Sequence, residues 1–259
     1  MESDSSTPKL SIITVVYNGV DLLEGTILSV KRHLHPDIEY IIIDGGSKDG
    51  TLGVLQTCHE YVDHWISEKD KGVYDAMNKG IDMAKGEFIW FLNAGDNIAS
   101  DEIMFKVLAA ITPDVDVLYG EIMIVDDQRK RLGIRSELST QKLPEKLNWE
   151  SFKYGMTVSH QGFIARKSIV PKYRLDNLSA DVEWCIECLK KSRKNLLVPG
   201  IFVNYLAGGM SKKQWKKSMK DRYKVLERHY GFIHNLWAHF VILLRSATHK
   251  LFRLRKKTY

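Results

Sequence analysis

A disulfide framework is missing from this sequence: its 259 residues hold three cysteines, an odd count of which only Cys185 and Cys188 stand close together. Such usage fits a reducing compartment rather than a secreted, cross-linked domain. Also missing is an apolar run of the roughly 18 residues that a membrane span needs. The nearest, Phe232 to Leu244, is shorter and carries His234, Asn235 and His239. Residues 1–9 lack the basic segment and apolar core of a secretory signal and read as a short frayed arm. Repeats and low-complexity tracts are absent too. With 44% hydrophobic and 27% charged residues, the composition excludes a disordered, collagenous or repeat-built chain. A globular, cytoplasmic protein is expected, large enough to bury its core without staples.

Acidic residues are scarce at one end. Residues 212–259 hold fourteen Lys/Arg against Asp221 and Glu227, a charge of +12, which leaves −6 on residues 1–211. An acidic body therefore carries a basic tail. In that tail Leu236, Trp237, Phe240, Val241, Leu243 and Leu244 precede Arg245, Lys250, Arg253, Arg255, Lys256 and Lys257. Apolar anchors mixed with cations suit an anionic membrane surface better than nucleic acid, and place the protein on the inner face of the cytoplasmic membrane. Packing of the apolar positions on the body, with a solvated cationic face, is the alternative. Oligomeric state is not readable.

Along the chain, Leu10 to Val16 is a short β-branched run that suits a strand buried on both faces. Asp21 with Glu24 makes a capping-box-like start to a helix carrying Leu23, Ile27, Val30 and Leu34. Strands at Tyr40 to Ile43, Trp65-Ile66 and Phe88 to Leu92 alternate with helices through Leu52 and Leu55, from Val73 to Ala84 and from Ser100 to Ile111. This alternation implies a doubly wound α/β sheet. From Val115 the strands crowd, at Val115 to Tyr119, Ile122 to Val125, Arg131 to Arg135 and Ser159 to Ala165, so this half reads as mixed or antiparallel. A helix from Asp181 to Lys191 and a strand from Phe202 to Leu206 complete the body, and Gly208-Gly209 hinges into the tail. The expected division is an arm over 1–9, one α/β domain over 10–211 and a basic amphipathic helical extension over 212–259.

Ligands of open α/β sheets collect beyond the carboxyl ends of strands. There the sequence places Asp44 before Gly45-Gly46-Ser47-Lys48-Asp49-Gly50-Thr51, and Asn93-Ala94-Gly95-Asp96 after the strand from Phe88. Neither a P-loop nor a dinucleotide fingerprint is present. A carboxylate in a glycine turn is as often structural as functional. Ser67 to Gly80 is dense in polar groups, with Asp70 able to cap and Tyr74 and Asn78 on one helix face, which capping plus a solvated face would also explain. Cys185 and Cys188 have no second ligand pair and read as packing residues rather than a zinc site.

Taken together and in order, IITVVYN (Ile12 to Asn18), IDGGSKDGT (Ile43 to Thr51), SEKDKGVYDAMNKG (Ser67 to Gly80) and FLNAGD (Phe91 to Asp96) resemble family 2 glycosyltransferases of the GT-A fold. They are most similar to the bacterial enzymes that build capsule, O-antigen and exopolysaccharide. The resemblance covers about Leu10 to Ser211. It implies a Rossmann-like mixed sheet flanked by helices and transfer of a sugar from a nucleotide-diphosphate donor to a hydroxyl of a glycan acceptor, lipid-linked in such pathways. By the same resemblance Thr14, Val16, Tyr17 and Asn18 line the nucleobase pocket, Asp44 bonds the base or ribose, and Asp70, Lys71 and Asn78 flank the nucleotide and donor sugar. Asn93, Ala94 and Gly95 occupy the place of the family's acidic motif, with Asp96 the ligand of Mn2+ or Mg2+ on the diphosphate. One acid stands where relatives carry two or three.

An inverting transfer needs a base for the acceptor hydroxyl. The resemblance implies Asp181, with Glu183 as fallback, although Asp181 would equally serve as a helix-start residue. His160 and Gln161 resemble the acceptor-side segment, and Gly208, Gly209 and Ser211 a loop closing over the diphosphate, with Lys212 and Lys213 within reach of phosphate. Two rivals remain at this stage. A sugar nucleotidyltransferase would share the acids but needs a basic glycine-rich loop that Tyr17 to Asp21 does not supply, and a basic-tailed adaptor would keep a degenerate pocket without catalysis.

Overall fold

The computed structural model describes residues 7–208 and 214–256, the stretch 249–256 as backbone only. The chain opens with β1 (Leu10–Val16), α1 (Val20–Lys31), β2 (Ile38–Asp44), α2 (Thr51–Thr57), β3 (His64–Ser67), α3 (Val73–Met83) and β4 (Phe88–Phe91). It continues with β5 (Asn97–Ile98), α4 (Asp101–Ala110), β6 (Val117–Val125), β7 (Arg131–Ile134), α5 (Arg135–Leu138), β8 (Phe163–Arg166), α6 (Ala180–Lys191) and β9 (Asn195–Leu206). Two helices, α7 (Trp215–Tyr230) and α8 (Phe232–Lys256), follow.

Nine strands form one mixed sheet in the order β3-β2-β1-β4-β8-β6-β9-β5, with β7 against β6. The first four strands are parallel, β8 runs against both β4 and β6, and β9 is parallel to β6. After β1 the chain builds outward to β2 and β3, then returns to set β4 on the other flank of β1. That reversal opens a crevice at the carboxyl ends of β1 and β4, where open α/β sheets bind ligands.

Every residue of β1, β2 and β4 is buried, because helices cover both faces of these strands. On one face Leu10, Ile12 and Val16 pack with Leu23, Ile27 and Val30 of α1 and Ile103, Met104 and Val107 of α4. On the other, Ile13 and Val15 meet Ala76, Met77 and Ile81 of α3, and the same core runs on to Val182, Cys185 and Ile186 of α6 and Val225 and Leu226 of α7.

Four details differ from the sequence reading. Asp21 and Glu24 form no capping box: Gly19 caps α1, and the amides at this end are taken from afar, Gly19 N–H donating to Thr51 Oγ1 (3.1 Å) and Val20 N–H to Asp49 Oδ2 (3.1 Å). The two strands expected at 115–119 and 122–125 are one, β6, whose pairing slips at Gly120, where a Cβ would collide with the Phe202 ring. Ser159 to Gly162 is a 3-10 turn rather than the start of a strand. Finally, α7 is no free extension: Asp221 accepts the Leu178 amide at 2.9 Å and the Ser218 carbonyl accepts Ser179 Oγ at 3.0 Å. The boundary expected after Ser211 thus precedes a helix that shares the body's core. Gly209, Ser211, Lys212 and Lys213 lie outside the described residues, as do residues 1–6 of the expected arm.

Candidate active site

The turn after β1 carries Tyr17, 65% exposed, and Asn18, which takes a left-handed conformation (φ 48°) open to asparagine. Asn18 ties this turn to the loop after β2: its amide donates to Ser47 Oγ (2.7 Å), and its Oδ1 accepts from the Lys48 amide (2.9 Å). Asp70, from the loop between β3 and α3, leans over the same point. Its Oδ1 accepts from Gly72 N–H at 2.8 Å, while its Oδ2 lies so near Gly45 that a Cβ there would stand 2.3 Å from it and 3.3 Å from the Tyr17 ring. A side chain at 45 would therefore displace the Asp70 carboxylate. An exposed aromatic face beside a carboxylate oxygen that has no hydrogen-bond partner among the described residues makes a cradle suited to a planar, N–H-bearing base.

Asp44, Thr14 and Val16 do not line that cradle. Asp44 is fully buried and its lone pairs are spent on the Gly46 and Ser47 amides (3.2 and 3.0 Å), Ser67 Oγ (2.5 Å) and Ser47 Oγ. It clasps the loop beneath the site. Thr14 Oγ1 donates to the Leu92 carbonyl (2.7 Å) and pairs with Tyr40 Oη, and Val16 belongs to the core. Lys71 is exposed at the mouth, its amide donating to Asp75 Oδ2.

Beyond β4 the Asn93-Ala94-Gly95-Asp96 turn faces the other side of the crevice. Gly95 adopts φ 99° and is held from both directions, its N–H donating to Thr26 Oγ1 (2.9 Å) and its carbonyl accepting from Arg129 (2.5 Å). Asp96 is 3% exposed; Oδ1 accepts from the Leu206 amide at 3.0 Å, and Oδ2 is buried with no partner among the described residues. Desolvation pushes this carboxyl up to about 7, against the opposing pull of the Leu206 amide and the Arg129 charge. Asn93 Oδ1 is a second buried oxygen without a partner in the same turn. Two orphan acceptors in one turn are what a cation would satisfy. Among the described residues no three His, Cys, Asp or Glu side chains gather into a cage. The set therefore fits a hard divalent ion that takes one carboxylate from the protein and further oxygens from a phosphorylated ligand.

Asp181 stands in the first turn of α6, half-buried, its Oδ1 accepting from the Val182 amide (2.9 Å) and from the Tyr74 hydroxyl (3.4 Å). Burial raises its pKa, while the Val182 amide, Arg222 and Tyr74 pull the other way. Tyr205 of β9 sits within the field of both Asp96 and Asp181, and burial together with those two carboxylates pushes its phenol up to about 12. Tyr205 is thus within electrostatic reach of both acids.

Three expected site residues instead build the wall behind Asp181. Asn78 grips the backbone of Tyr173, Oδ1 accepting its N–H (2.7 Å) and Nδ2 donating to its carbonyl (2.9 Å). The Tyr173 ring is stacked between Tyr74 (5.4 Å) and Trp184 (5.2 Å), and its hydroxyl meets His160 Nε2. His160, buried and stacked on Phe91 at 5.2 Å, is pushed down to about 4 by desolvation, so it stays neutral. Gln161 is buried with its Oε1 on Ser159 Oγ. Both side chains are thus buried and bonded within the protein. Gly208 is exposed at φ 121°. Glu183 is occupied by Arg228 and Asn177 and does not stand as a second base.

The sequence reading placed Tyr74 on a helix face without giving it a role, and it did not single out Arg129, Arg222 and Tyr205. Tyr74 lay in a quoted motif, but the other three come from the β6–β7 hairpin, α7 and β9, where no local pattern marks them. The cleft of about 800 Å3 between Glu121, the segment 136–143 and Arg245 of α8 contains none of the motif residues.

The fold is that of a GT-A α/β domain. The model of the family described as glycosyl transferase family 2 matches residues 11–174, and the chain belongs to that family. It is 38% identical over 109 residues to an uncharacterised glycosyltransferase of Mycobacterium tuberculosis, covering 42% of each chain. It is 37% identical over 100 residues to a Bacillus subtilis glycosyltransferase named for teichuronic acid biosynthesis, covering 37% of this chain and 39% of that one. The chain thus spans less than half the length of these relatives. Among solved structures, S. aureus TarS in complex with UDP-GlcNAc superposes with a TM-score of 0.66 at 17% identity, over 84% of this chain and 64% of that one. A Pyrobaculum calidifontis mannosyltransferase in complex with GDP-Man and Mn2+ gives 0.63 at 13% identity, over 96% and 77%.

Proposed function

We infer that the protein transfers a sugar from a nucleotide-diphosphate donor to a hydroxyl of a lipid-linked glycan in bacterial surface polysaccharide synthesis, with inversion at the anomeric carbon. The observation that carries this reading is the placement of three unlike groups around one crevice: the Tyr17–Asp70 cradle, the orphan oxygens of Asn93 and Asp96, and the raised carboxylate of Asp181. Family membership, the B. subtilis relative and the UDP-GlcNAc complex of a structural neighbour support it.

In this reading Tyr17 and Asp70 hold the base, and the Asn93 to Asp96 turn faces the diphosphate. Asp96 would hold a Mn2+ or Mg2+, as the Mn2+ of the mannosyltransferase neighbour suggests, and that ion would neutralise the charge left on the leaving diphosphate. Asp181 takes the proton of the acceptor hydroxyl as its oxygen bonds to the anomeric carbon. The bond from that carbon to the diphosphate oxygen breaks, and its electron pair departs with the nucleotide. Burial suits Asp181 to this role, because a carboxylate of raised pKa is a stronger base. The Tyr74 hydroxyl holds it in place.

The test is calorimetry of UDP, GDP, dTDP and CDP, each with and without Mn2+, on the full chain and on Asp96→Ala. Micromolar, Mn2+-dependent binding of one diphosphate, weakened at least tenfold in the variant, is expected. Binding of none of the four overturns the reading and leaves a non-catalytic adaptor.

A further inference from the structure

A helix at the surface of a water-soluble protein buries its apolar stripe and shows water its polar one. Helix α8 does the reverse. The positions it turns inward include Asn235 and Ala238, 1% and 4% exposed, with Asn235 Nδ2 donating to the Tyr223 carbonyl of α7 (3.1 Å) and the His239 ring 4.8 Å from that of Tyr223. The positions it turns outward are Ile233, Leu236, Trp237, Phe240, Leu243 and Leu244, each more than half exposed. They recur at helical spacing over about 17 Å of axis, opposite the packed face. No Asp, Glu, Lys or Arg interrupts them. An uncovered apolar patch of this kind marks an interaction surface.

Charge selects the occupant. The sequence has no acidic residue after Glu227, residues 212–259 carry +12, and exposed Lys216, Lys220 and Lys224 line the neighbouring α7. A second copy docked face to face would set that charge against itself, whereas an anionic lipid surface complements it. No helix among the described residues is long and apolar enough to cross a membrane. We propose that α7 and α8 form a platform lying in the plane of an anionic membrane, with the outward face of α8 inserted among the acyl chains and the lysines of α7 at the headgroups.

The platform bears directly on the candidate base. Helix α7 grips Leu178 and Ser179 through Asp221 and the Ser218 carbonyl, and these are the residues that lead into Asp181. Docking would therefore hold Asp181 at a set height above the lipid, within range of a hydroxyl on a lipid-linked substrate.

The experiment is co-sedimentation of the full chain with vesicles of phosphatidylcholine and phosphatidylglycerol (3:1) and with phosphatidylcholine alone, in 0.1 M NaCl. The comparison variant is Leu236→Ser combined with Phe240→Ser. Both side chains are exposed, so its thermal unfolding should match the wild type. We expect the wild type to partition to the anionic vesicles at least tenfold more than to the neutral ones, with Trp fluorescence shifted to the blue. The variant should lose at least tenfold in partitioning. Equal partitioning of wild type and variant overturns the inserted face, and equal partitioning to both vesicles overturns the role of charge. A soluble dimer in sedimentation velocity that the variant dissolves, with no vesicle binding, makes a second copy the occupant. Nucleoside diphosphate binding, measured on the same samples, should be unchanged in the variant, which separates failure here from failure of the transferase reading.

Discussion

Asp70 Oδ2 and Gly45 are in such close contact that no side chain fits between them. The carboxylate is aimed by the Gly72 amide on Oδ1, leaving Oδ2 for a ligand. In Gly45→Ala the added methyl must push Asp70 aside, since a 2.3 Å approach is not tolerated. Nucleoside diphosphate affinity should fall at least tenfold by calorimetry, and Asp70→Asn should weaken it to a similar degree. Unchanged affinity in Gly45→Ala would remove Asp70 from the base pocket.

Asp96 gives a pH-dependent stability whose direction is fixed by its environment. Its folded pKa, about 7, lies above the ordinary 3.8, so the folded state holds the proton more tightly than the unfolded chain. The contribution is fully present below pH 3.8 and is lost as pH rises toward and through 7, to a ceiling of about 4 kcal/mol at some 1.4 kcal/mol per pKa unit. Without metal, Asp96→Asn should flatten this loss, and its melting temperature at pH 8 should match or exceed that of the wild type. Added Mn2+ should raise the wild-type melting temperature at pH 8 and leave that of the variant in place. A variant that melts lower at pH 8 with the same pH slope would refute the assignment.

The outline of the fold was legible because its first half is locally regular. Short β-branched runs alternate with amphipathic helices, and β1, α3 and α4 fall within a residue or two of their expected bounds. Strand β9 was seen only from Phe202, because Val198-Pro199-Gly200 looks like a break, whereas the register slips there and pairing with β6 continues on both sides. Motifs identified the crevice but not which side chain faces it. Asp44, Thr14, Asn78 and His160 fall in or beside the motifs yet are consumed by internal bonds, and only three-dimensional hydrogen-bond partners reveal that. Arg129 and Tyr205 were hidden for the opposite reason: nothing in their neighbourhood in sequence says that the β6–β7 turn and the end of β9 lie beside the Asn93 to Asp96 turn.

Asn78 separates a structural from a binding role. Its amide makes two bonds to the Tyr173 backbone, and Tyr173 anchors the stack of Tyr74, Trp184 and His160. Asn78→Ala leaves a backbone N–H and C=O of a buried residue without partners, at a cost of roughly 2–4 kcal/mol. Chemical denaturation should show that loss, with nucleoside diphosphate affinity within about twofold of wild type. A variant of normal stability that no longer binds nucleotide would return Asn78 to the donor site.

Asp181 and Tyr74 predict a paired result. Asp181→Asn removes the proposed base for the attacking hydroxyl, so transfer should fall by about 10^3-fold while nucleotide binding stays near wild type. Tyr74→Phe leaves the carboxylate but deletes the hydroxyl that donates to Asp181 Oδ1 and to the Leu178 carbonyl. That hydrogen bond favours the ionised acid, so without it the pKa of Asp181, already raised by burial, rises further. The acid limb of the kcat/KM profile should therefore move to higher pH in Tyr74→Phe, with activity recovering above the shifted limb. A uniform loss at every pH would instead mean that Tyr74 holds the α6 start in position through Leu178 and has no hold on the proton of Asp181.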